Sequence, residues 1–265
     1  MARLLSDIPF TGSLGNISAY KMKGSDKIIL RKKGGASKEK IKKAKEFETT
    51  RKLNAEFGGR SVGSKYIMHA MFPLKALADY NFAGPLNALI KPIQAMDTKS
   101  DHGKRNIYFT RHPKLLEGFS LNQRNPFDSI VRNPVSCRLD KKNMSAAIEM
   151  PALIPGINFF VPPGRHPLYS IIIVLGIVPD ITFTKYGYKP LAVLDPGHAA
   201  SSWYPVSKGS QATALEVSLQ WQGHKLPVSA FSLMLSIGIR FGTVGMNDAV
   251  EQVKYAGAAK VLVVE

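Results

Sequence analysis

The spacing of apolar residues changes its period near residue 100, and this change limits the folds open to the chain. Before it, apolar residues recur at the spacing of a helix face, as at Ile67, Met71, Leu74, Leu86 and Ile90. After it, apolar and polar residues alternate, most clearly over 215–221 and 231–241, as in strands with one buried face. The sequence therefore predicts an α+β fold, with helices ahead of antiparallel strands.

The predicted strands are separated by proline- and glycine-rich turns. Such turns occur at Pro155-Gly156, Pro162-Pro163-Gly164 and Pro196-Gly197. This spacing is typical of an antiparallel β-sandwich of the immunoglobulin or fibronectin kind. Residues 168–178 are apolar on both faces, so we expect them at the centre of a sheet. The polar loop 97–104 predicts a boundary between a basic hairpin and helical region, 1–100, and a sandwich domain, 101–265.

The N-terminal part predicts a β-hairpin followed by three helices. Residues 8–35 contain two short strand patterns, around a turn at Gly24-Ser25-Asp26. Ser37 is a candidate cap for a densely charged helix over 38–57, which Gly58-Gly59 should end. Two amphipathic helices follow within 61–78 and 85–96, with interruptions expected at Pro73 and Pro92.

Positive charge is concentrated at the N-terminal end. The chain has 36 Lys/Arg and 19 Asp/Glu, a net charge of +17. Residues 1–114 hold 23 and 9 of these, so they carry +14. A graded excess indicates a surface for an anionic partner, and a pI near 9.9 is compatible with nucleic acid. A basic surface without a partner is the alternative.

The candidate polyanion-binding residues are cations between positions 20 and 65. They are Lys21, Lys23, Arg31, Lys32, Lys33, Lys42, Lys43, Lys45, Arg51, Lys52, Arg60 and Lys65. Such residues would contact phosphates without reading base sequence. Aromatic residues adjacent to cations, as in Tyr20-Lys21 and Lys65-Tyr66, could also stack on bases, or they could belong to the core.

The glycine-rich stretch 58–65 resembles a phosphate-binding loop only superficially. The nucleotide-binding pattern ends in Gly-Lys-Ser/Thr and follows a strand, whereas this stretch ends in Gly-Ser-Lys and follows a predicted helix. We interpret it as a linker between helices. A weaker hypothesis is that amides at the start of the next helix, beside Arg60 and Lys65, hold one phosphate of a polymer.

Motifs of catalysis and metal binding do not occur in the sequence. The six histidines are scattered singly and there is one cysteine, so neither zinc-finger nor metalloprotease spacing is present. No Gly-x-Ser-x-Gly elbow occurs. The sequence predicts a protein that is not an enzyme and has no cofactor or metal, although a site assembled from dispersed residues stays open.

The remaining signals concern compartment and surface. The longest apolar run has eight residues, 171–178, against about 20 needed to span a bilayer, so we expect no membrane contact and a cytoplasmic location. Cys137 lies in an alternating run and is predicted to be a buried small hydrophobe rather than a reactive thiol. The aromatic residues near Trp203 and Tyr186 could form a contact surface or cover the end of a sheet.

Five segments carry a resemblance to a known group of proteins. They are Gly12-Ser-Leu-Gly15-Asn16, Tyr20-Lys21, Arg31-Lys32-Lys33, Leu115-Leu116-Glu117-Gly118-Phe119-Ser120-Leu121-Asn122 and Gly257-Ala258-Ala259-Lys260-Val261-Leu262. From Gly12 onward the chain resembles an uncharacterised bacterial family of unknown function. The resemblance implies a basic N-terminal part, a helical middle and a β-rich C-terminal half. It implies no activity and therefore no catalytic residue.

Two functions are compatible with these observations. The first is a non-enzymatic binding protein whose basic N-terminal region contacts nucleic acid or another polyanion. The second is a structural subunit of a larger assembly, phage-like or filamentous, whose basic arm docks on an acidic protein surface of a neighbour. Homo-oligomerisation is open under both, and both hold together if the assembly packages nucleic acid.

Overall fold

The computed structural model describes most of the chain. The described residues are 2–3, 10–21, 27–164, 166–220, 228–245 and 249–265. They belong to two compact units, Met1–Arg51 and Lys52–Glu265, which we call the basic unit and the main unit. The division into 1–100 and 101–265 stays a prediction, because it concerns which segments fold on their own.

The basic unit contains a four-stranded antiparallel sheet, the N-terminal sheet. Its strands are β1 Ala2–Arg3, β2 Gly12–Leu14, β3 Ile17–Lys21 and β4 Ile28–Lys32. Their order is β1-β4-β3-β2. The predicted hairpin is confirmed in its two strands, because β3 and β4 pair antiparallel from Ile17↔Lys32 to Lys21↔Ile28. The predicted turn at Gly24-Ser25-Asp26 lies outside the described residues.

The charged helix predicted over 38–57 is present in two pieces and extends further than expected. Helix α1 covers Lys38–Lys43, a 3₁₀ turn covers Lys45–Phe47, and helix α2 covers Glu48–Ala70. Ser37 caps α1 as predicted, since its Oγ accepts a hydrogen bond from the Lys40 amide at 3.2 Å. The prediction that Gly58-Gly59 ends the helix is wrong, because α2 continues through both residues.

Glycines in the middle of α2 serve close packing rather than termination. A Cβ atom at Gly59 would lie 2.8 Å from ring carbons of Tyr188. One at Gly63 would lie 3.3 Å from the ring of Phe109. Both glycines are buried, so the absent side chains let aromatic rings rest against the helix backbone.

The proline-containing helices follow the prediction in part. Pro73 lies at the start of a 3₁₀ helix, Phe72–Leu77, where its missing N–H costs nothing. Helix α3, Ala83–Ala95, has Pro85 in its first turn and also contains Pro92, which was expected to interrupt it. The remaining short elements are the 3₁₀ turns Phe109–Arg111, Pro113–Leu116 and Val228–Ala230 and helix α4, Phe127–Ile130. Among the described helices, none is both long and apolar enough to cross a bilayer.

The main unit contains two larger antiparallel sheets and a two-stranded ribbon. The central sheet consists of β7 Leu168–Pro179, β10 Gly197–Ala200, β11 Tyr204–Pro205, β13 Phe231–Val244 and β14 Val250–Val264. Its order is β10-β7-β13-β14, and β11 also pairs with β7. The second sheet has the order β12-β6-β5. Its strands are β5 Ser136–Asp140, β6 Ser145–Met150 and β12 Thr213–Ser218. The ribbon pairs β8 Ile181–Thr184 with β9 Gly187–Pro190.

The strand predicted to be central is central. Strand β7 lies between β10 and β13, and every residue from Tyr169 to Pro179 is buried. Odd-numbered residues such as Ile171 and Ile173 belong to one hydrophobic core, and Ile172 and Val174 belong to another. A strand apolar on both faces therefore separates two cores, as the sequence predicts.

Each core joins the central sheet to a different layer. One contains Ile148 and Val217 of the second sheet, so the two sheets share this core. The other contains Ile67, Leu74 and Leu86 of the helical segments. The main unit is thus layered as helices, central sheet and second sheet, and the chain as a whole has an α+β fold.

The prediction that Cys137 is buried is wrong. Cys137 is exposed rather than buried. It lies on β5, which among the described strands is an edge strand that pairs only with β6. Because an edge strand has fewer neighbours to cover it, the alternating pattern overstates its burial.

Candidate functional site

The basic unit is the most strongly charged part of the chain for its size. Residues 1–51 contain 13 Lys/Arg and 5 Asp/Glu, a net charge of +8. Of the residues there whose side chains the structure describes, only Ala19 is buried. The cations of this unit therefore lie on elements that are almost entirely at the surface.

Strand pairing divides the N-terminal sheet into two chemically different faces. Ser13 pairs with Ser18 and Ser18 with Arg31, so these residues share one face with Tyr20. We call it the Tyr20 face. The opposite Ile17 face carries Leu14, Ile17, Leu30 and Lys32, because Leu14 pairs with Ile17 and Ile17 with Lys32. Successive side chains of a strand point to opposite faces, so neighbours in sequence separate.

The Tyr20 face brings an aromatic ring and a guanidinium together. The Arg31 Cζ atom lies 5.8 Å from the centre of the Tyr20 ring, within cation–π range. The Tyr20 side chain is 37% exposed. Lys21, which is next to Tyr20 in sequence, lies on the Ile17 face instead.

Helix α1 and the turn after it present the second group of cations. Lys42, Lys43 and Lys45 are exposed. None of them forms an ion pair with a described residue, whereas Lys40 pairs with Glu46 at 2.9 Å. The same holds for Lys32 and Lys33 at the end of β4. These five candidate lysines are therefore exposed and form no ion pair with a described residue.

Arg51 has a structural partner instead. Its Nη1 atom donates hydrogen bonds to the carbonyl oxygens of Ile41 and Ala44, each at 2.8 Å. These are carbonyls at the C-terminal end of α1, which lack helical partners. Arg51 therefore ties α1 to the start of α2, and its role in binding stays a prediction. Lys23, another predicted binding residue, lies outside the described residues.

The last three candidates lie on α2 in the main unit. Arg60 donates from Nη1 to Gln94 Oε1 at 2.9 Å, so it points toward α3. Lys52 packs along Gly103, where an added Cβ would lie 3.0 Å from its Cγ. Lys65 is exposed, with its Nζ 5.6 Å from the Tyr66 ring. Of the three, only Lys65 extends from the helix surface as the sequence predicts.

The hypothesis of a phosphate site at residues 58–65 is wrong. This stretch is neither a linker nor a helix start, because it lies wholly inside α2. Amides in the middle of an α-helix already donate to carbonyls four residues earlier. They are therefore not available to a phosphate, and the glycines there have the packing role described above.

A buried polar cluster in the main unit was not predicted from sequence. The carboxylate of Glu56, 2% exposed, accepts bonds from Arg105 Nε at 2.6 Å and Nη2 at 2.7 Å. It also accepts one from the Gly103 amide at 3.0 Å. Gln94 joins the cluster by donating to the Arg105 carbonyl at 3.0 Å. We call this the Glu56 cluster; it links α2, α3 and the loop around residues 97–106.

Electrostatics within the Glu56 cluster favour the charged carboxylate. Burial alone would raise the pKa of Glu56, but the bonds from Arg105 and Gly103 outweigh it and hold the pKa below its ordinary value of 4.5. The bond to Glu56 raises the pKa of Arg105. Burial, reinforced by the negative charge of Glu56, raises the pKa of Tyr188 to about 12. The cluster therefore holds a fixed ion pair beside a neutral phenol.

The Glu56 cluster has a structural arrangement rather than that of a reactive site. Each oxygen of Glu56 already accepts a hydrogen bond from Arg105. Asp97 similarly accepts bonds from the amides of Lys99, Ser100 and Asn106. The sequence offered one signal, a loop rich in polar residues after a helix, which was interpreted as a domain boundary.

The aromatic residues of the predicted contact surface mostly cover other elements. The Trp203 ring lies against Gly242, where an added Cβ would be 2.8 Å from it, and stacks 4.8 Å from the Arg240 guanidinium. Tyr188 covers Gly59. Tyr186, 73% exposed, is the exception. Trp203 therefore covers part of the central sheet, whereas Tyr188 covers helix α2.

Neither metal ligation nor similarity to known proteins assigns a function. Across the part of the chain that the structure describes, no group of three or more His, Cys, Asp or Glu side chains could hold a metal ion. No protein-family model, curated protein or solved structure matches the chain. The resemblance to an uncharacterised bacterial family therefore stays a prediction. The exposed cations of the basic unit are the feature that bears on function.

Proposed function

We propose that the basic unit binds nucleic acid or another polyanion through exposed lysines at the end of β4, on α1 and in the turn after α1. The observation that supports this is the exposure of Lys32, Lys33, Lys42, Lys43 and Lys45 without an ion pair to any described residue. When such cations neutralise phosphates, the counterions condensed on the nucleic acid are released, which favours binding at low salt. The proposal is one of binding without catalysis and without base-sequence recognition.

Binding measured against salt tests the proposal. Fluorescently labelled DNA and RNA would be titrated with the full chain at several salt concentrations. We expect the logarithm of affinity to fall linearly with the logarithm of salt, with a slope of about 0.9 per duplex phosphate contacted. Absence of binding at low salt, or an affinity independent of salt, would show that the proposal is wrong.

Two double variants that lose the same charge show which surface binds the polyanion. The double variant Lys42→Gln/Lys43→Gln should weaken binding and flatten the duplex salt slope by about 2. The control Lys114→Gln/Lys208→Gln removes the same charge from exposed lysines of the main unit. Equal losses in the two variants would show that net charge, rather than the basic unit, produces the binding.

A second candidate function has its own observation. On the Ile17 face, Leu14 is 69% exposed and its strand partner Ile17 is 45% exposed. Apolar pairs of this kind are suited to burial in a protein contact. We infer that a structural subunit, docking by its basic arm on an acidic neighbour, is the alternative to polyanion binding. The immunoglobulin- or fibronectin-like sandwich belongs to this alternative as a proposal about the main unit.

Assembly state tests the alternative. Light scattering at high protein concentration, with negative-stain microscopy, should show a defined oligomer that Leu14→Ser/Ile17→Ser dissociates. A chain that stays monomeric, and that recovers no partner from cells, would contradict the structural role. The same preparation titrated with nucleic acid would show whether both functions hold together.

A further inference from the structure

The geometry points to the Tyr20 face as a stacking surface for an unpaired base of single-stranded nucleic acid. This inference rests on the proposed function and names which nucleic acid the basic unit would take. Charge alone does not distinguish a single strand from a duplex, because both present phosphates. An exposed ring beside a guanidinium does, because stacking requires a base whose own faces are free.

The position of Tyr20 favours a ligand over a core role. The residue directly opposite the ring is Ile29, and the neighbouring row on the same face is Ser13, Ser18 and Arg31. The ring therefore has one aliphatic neighbour across the strands and polar residues in the next row. A tyrosine 37% exposed in such surroundings leaves part of its ring in water. Covering it with a base would remove that apolar area from solvent.

Arg31 adds the second element of the surface. Its guanidinium lies 5.8 Å from the Tyr20 ring centre, close enough to flank a base placed on the ring. The guanidinium is planar, stacks on aromatic faces and pairs bidentately with phosphate. One side chain could therefore serve the base and the adjoining backbone together.

The opposite face of the same sheet supplies the contrast. Lys32 follows Arg31 in sequence but pairs with Ile17, next to Leu14. A base brought to the Ile17 face would meet aliphatic side chains, which offer no aromatic plane. Arg31 and Lys32 therefore have the same charge but different surroundings. Substituting each in turn separates the effect of the ring from the effect of charge.

Duplexes should not use the Tyr20 ring. Bases in a duplex are stacked on one another, and a flat sheet face reaches only their phosphates and groove edges. The lysines of α1 and β4 would still bind those phosphates. Loss of the ring should therefore weaken single-strand binding and leave duplex binding in place.

The test compares two ligands on the full chain. A labelled single strand and the same strand annealed to its complement would be titrated with Tyr20→Leu and Tyr20→Phe. For Tyr20→Leu we expect single-strand affinity to fall roughly 5- to 150-fold and duplex affinity to stay within about twofold. Tyr20→Phe keeps the ring and should bind like the parent. Retained duplex binding shows that Tyr20→Leu still folds.

The matched cations give an independent measurement. Arg31→Gln should weaken single-strand binding more than Lys32→Gln, because each variant loses one charge but only the first loses a group beside the ring. Equal loss of single-strand and duplex binding in Tyr20→Leu, or no loss in either, would overturn the stacking inference. If the parent chain binds neither ligand, the proposed function itself fails.

Discussion

The Glu56 cluster makes the stability of the main unit depend on one carboxylate, and Glu56→Gln tests this dependence. The substitution keeps the shape of the side chain but removes its charge. In the parent chain, the guanidinium of Arg105 donates to both oxygens of the Glu56 carboxylate, at 2.6 and 2.7 Å. The substitution replaces one of these oxygens by an amide N–H₂, which cannot accept such a bond. The Arg105 side chain is only 26% exposed, so it cannot recover full hydration.

The expected loss follows from breaking a buried ion pair. Removing one partner of such a pair costs about 3–5 kcal/mol, because the other charge is left uncompensated. For a chain of this size that corresponds to a fall in Tm of roughly 6–20 °C. The free energy of unfolding would be measured by chemical denaturation at neutral pH, with calorimetry for Tm. Glu149→Gln, an exposed carboxylate of β6, is the control and should change stability by less than about 0.5 kcal/mol.

The pH dependence has a definite sign. The pKa of Glu56 in the folded chain lies below its ordinary value of 4.5, so its contribution is complete above pH 4.5. That contribution disappears as pH falls through the folded pKa. The stability difference between the parent and Glu56→Gln should therefore be constant near neutrality and shrink in acid. A loss below about 1 kcal/mol at neutral pH, or a difference that grows in acid, would refute the reasoning.

Three further substitutions test the packing and the hydrogen bonding of the main unit. Gly58 has open space around it and Gly59 faces Tyr188, so Gly58→Ala should stabilise α2 by about 0.5–1 kcal/mol. Gly59→Ala should be less stable than Gly58→Ala by about 1–3 kcal/mol, measured by denaturation, and equal stabilities would contradict the packing role. Asn122 is buried, donates to the Leu77 carbonyl at 2.7 Å and accepts from the Ala259 amide at 2.9 Å. Asn122→Ala should therefore cost about 2–4 kcal/mol in the same assay, and a neutral effect would contradict it.

The elements with strong periodicity could be predicted, because their pattern and their packing agree. Residues 168–178 are apolar on both faces and lie in β7, which has cores on both sides. Residues 231–241 alternate and lie in β13. In each case the spacing of apolar residues within one segment shows which of its faces are buried. No knowledge of a partner segment is needed to interpret it.

The glycines and the cysteine were misinterpreted because their roles depend on distant residues. Gly58-Gly59 is a helix stop by local rules, yet Gly59 is kept without a side chain by Tyr188, far along the chain. Cys137 fits a buried alternation, yet β5 is an edge strand. The Glu56 cluster joins residues 49 positions apart, Glu56 and Arg105, through a loop that the sequence predicts to be a domain boundary. Local sequence does not contain these pairings.

The charge gradient likewise predicts a binding region but not its surface. Counting cations from 20 to 65 treats Arg31 and Lys32 alike, and strand pairing then assigns them to opposite faces. The same count includes Arg51 and Arg60, whose guanidinium groups donate to carbonyl and amide oxygens within their own units. A cation already held by such bonds would have to give them up to meet a phosphate, which offsets the gain. The contact surface should therefore include fewer cations than the segment 20–65 contains. Its specificity for single strands should come from the exposed Tyr20 ring beside Arg31.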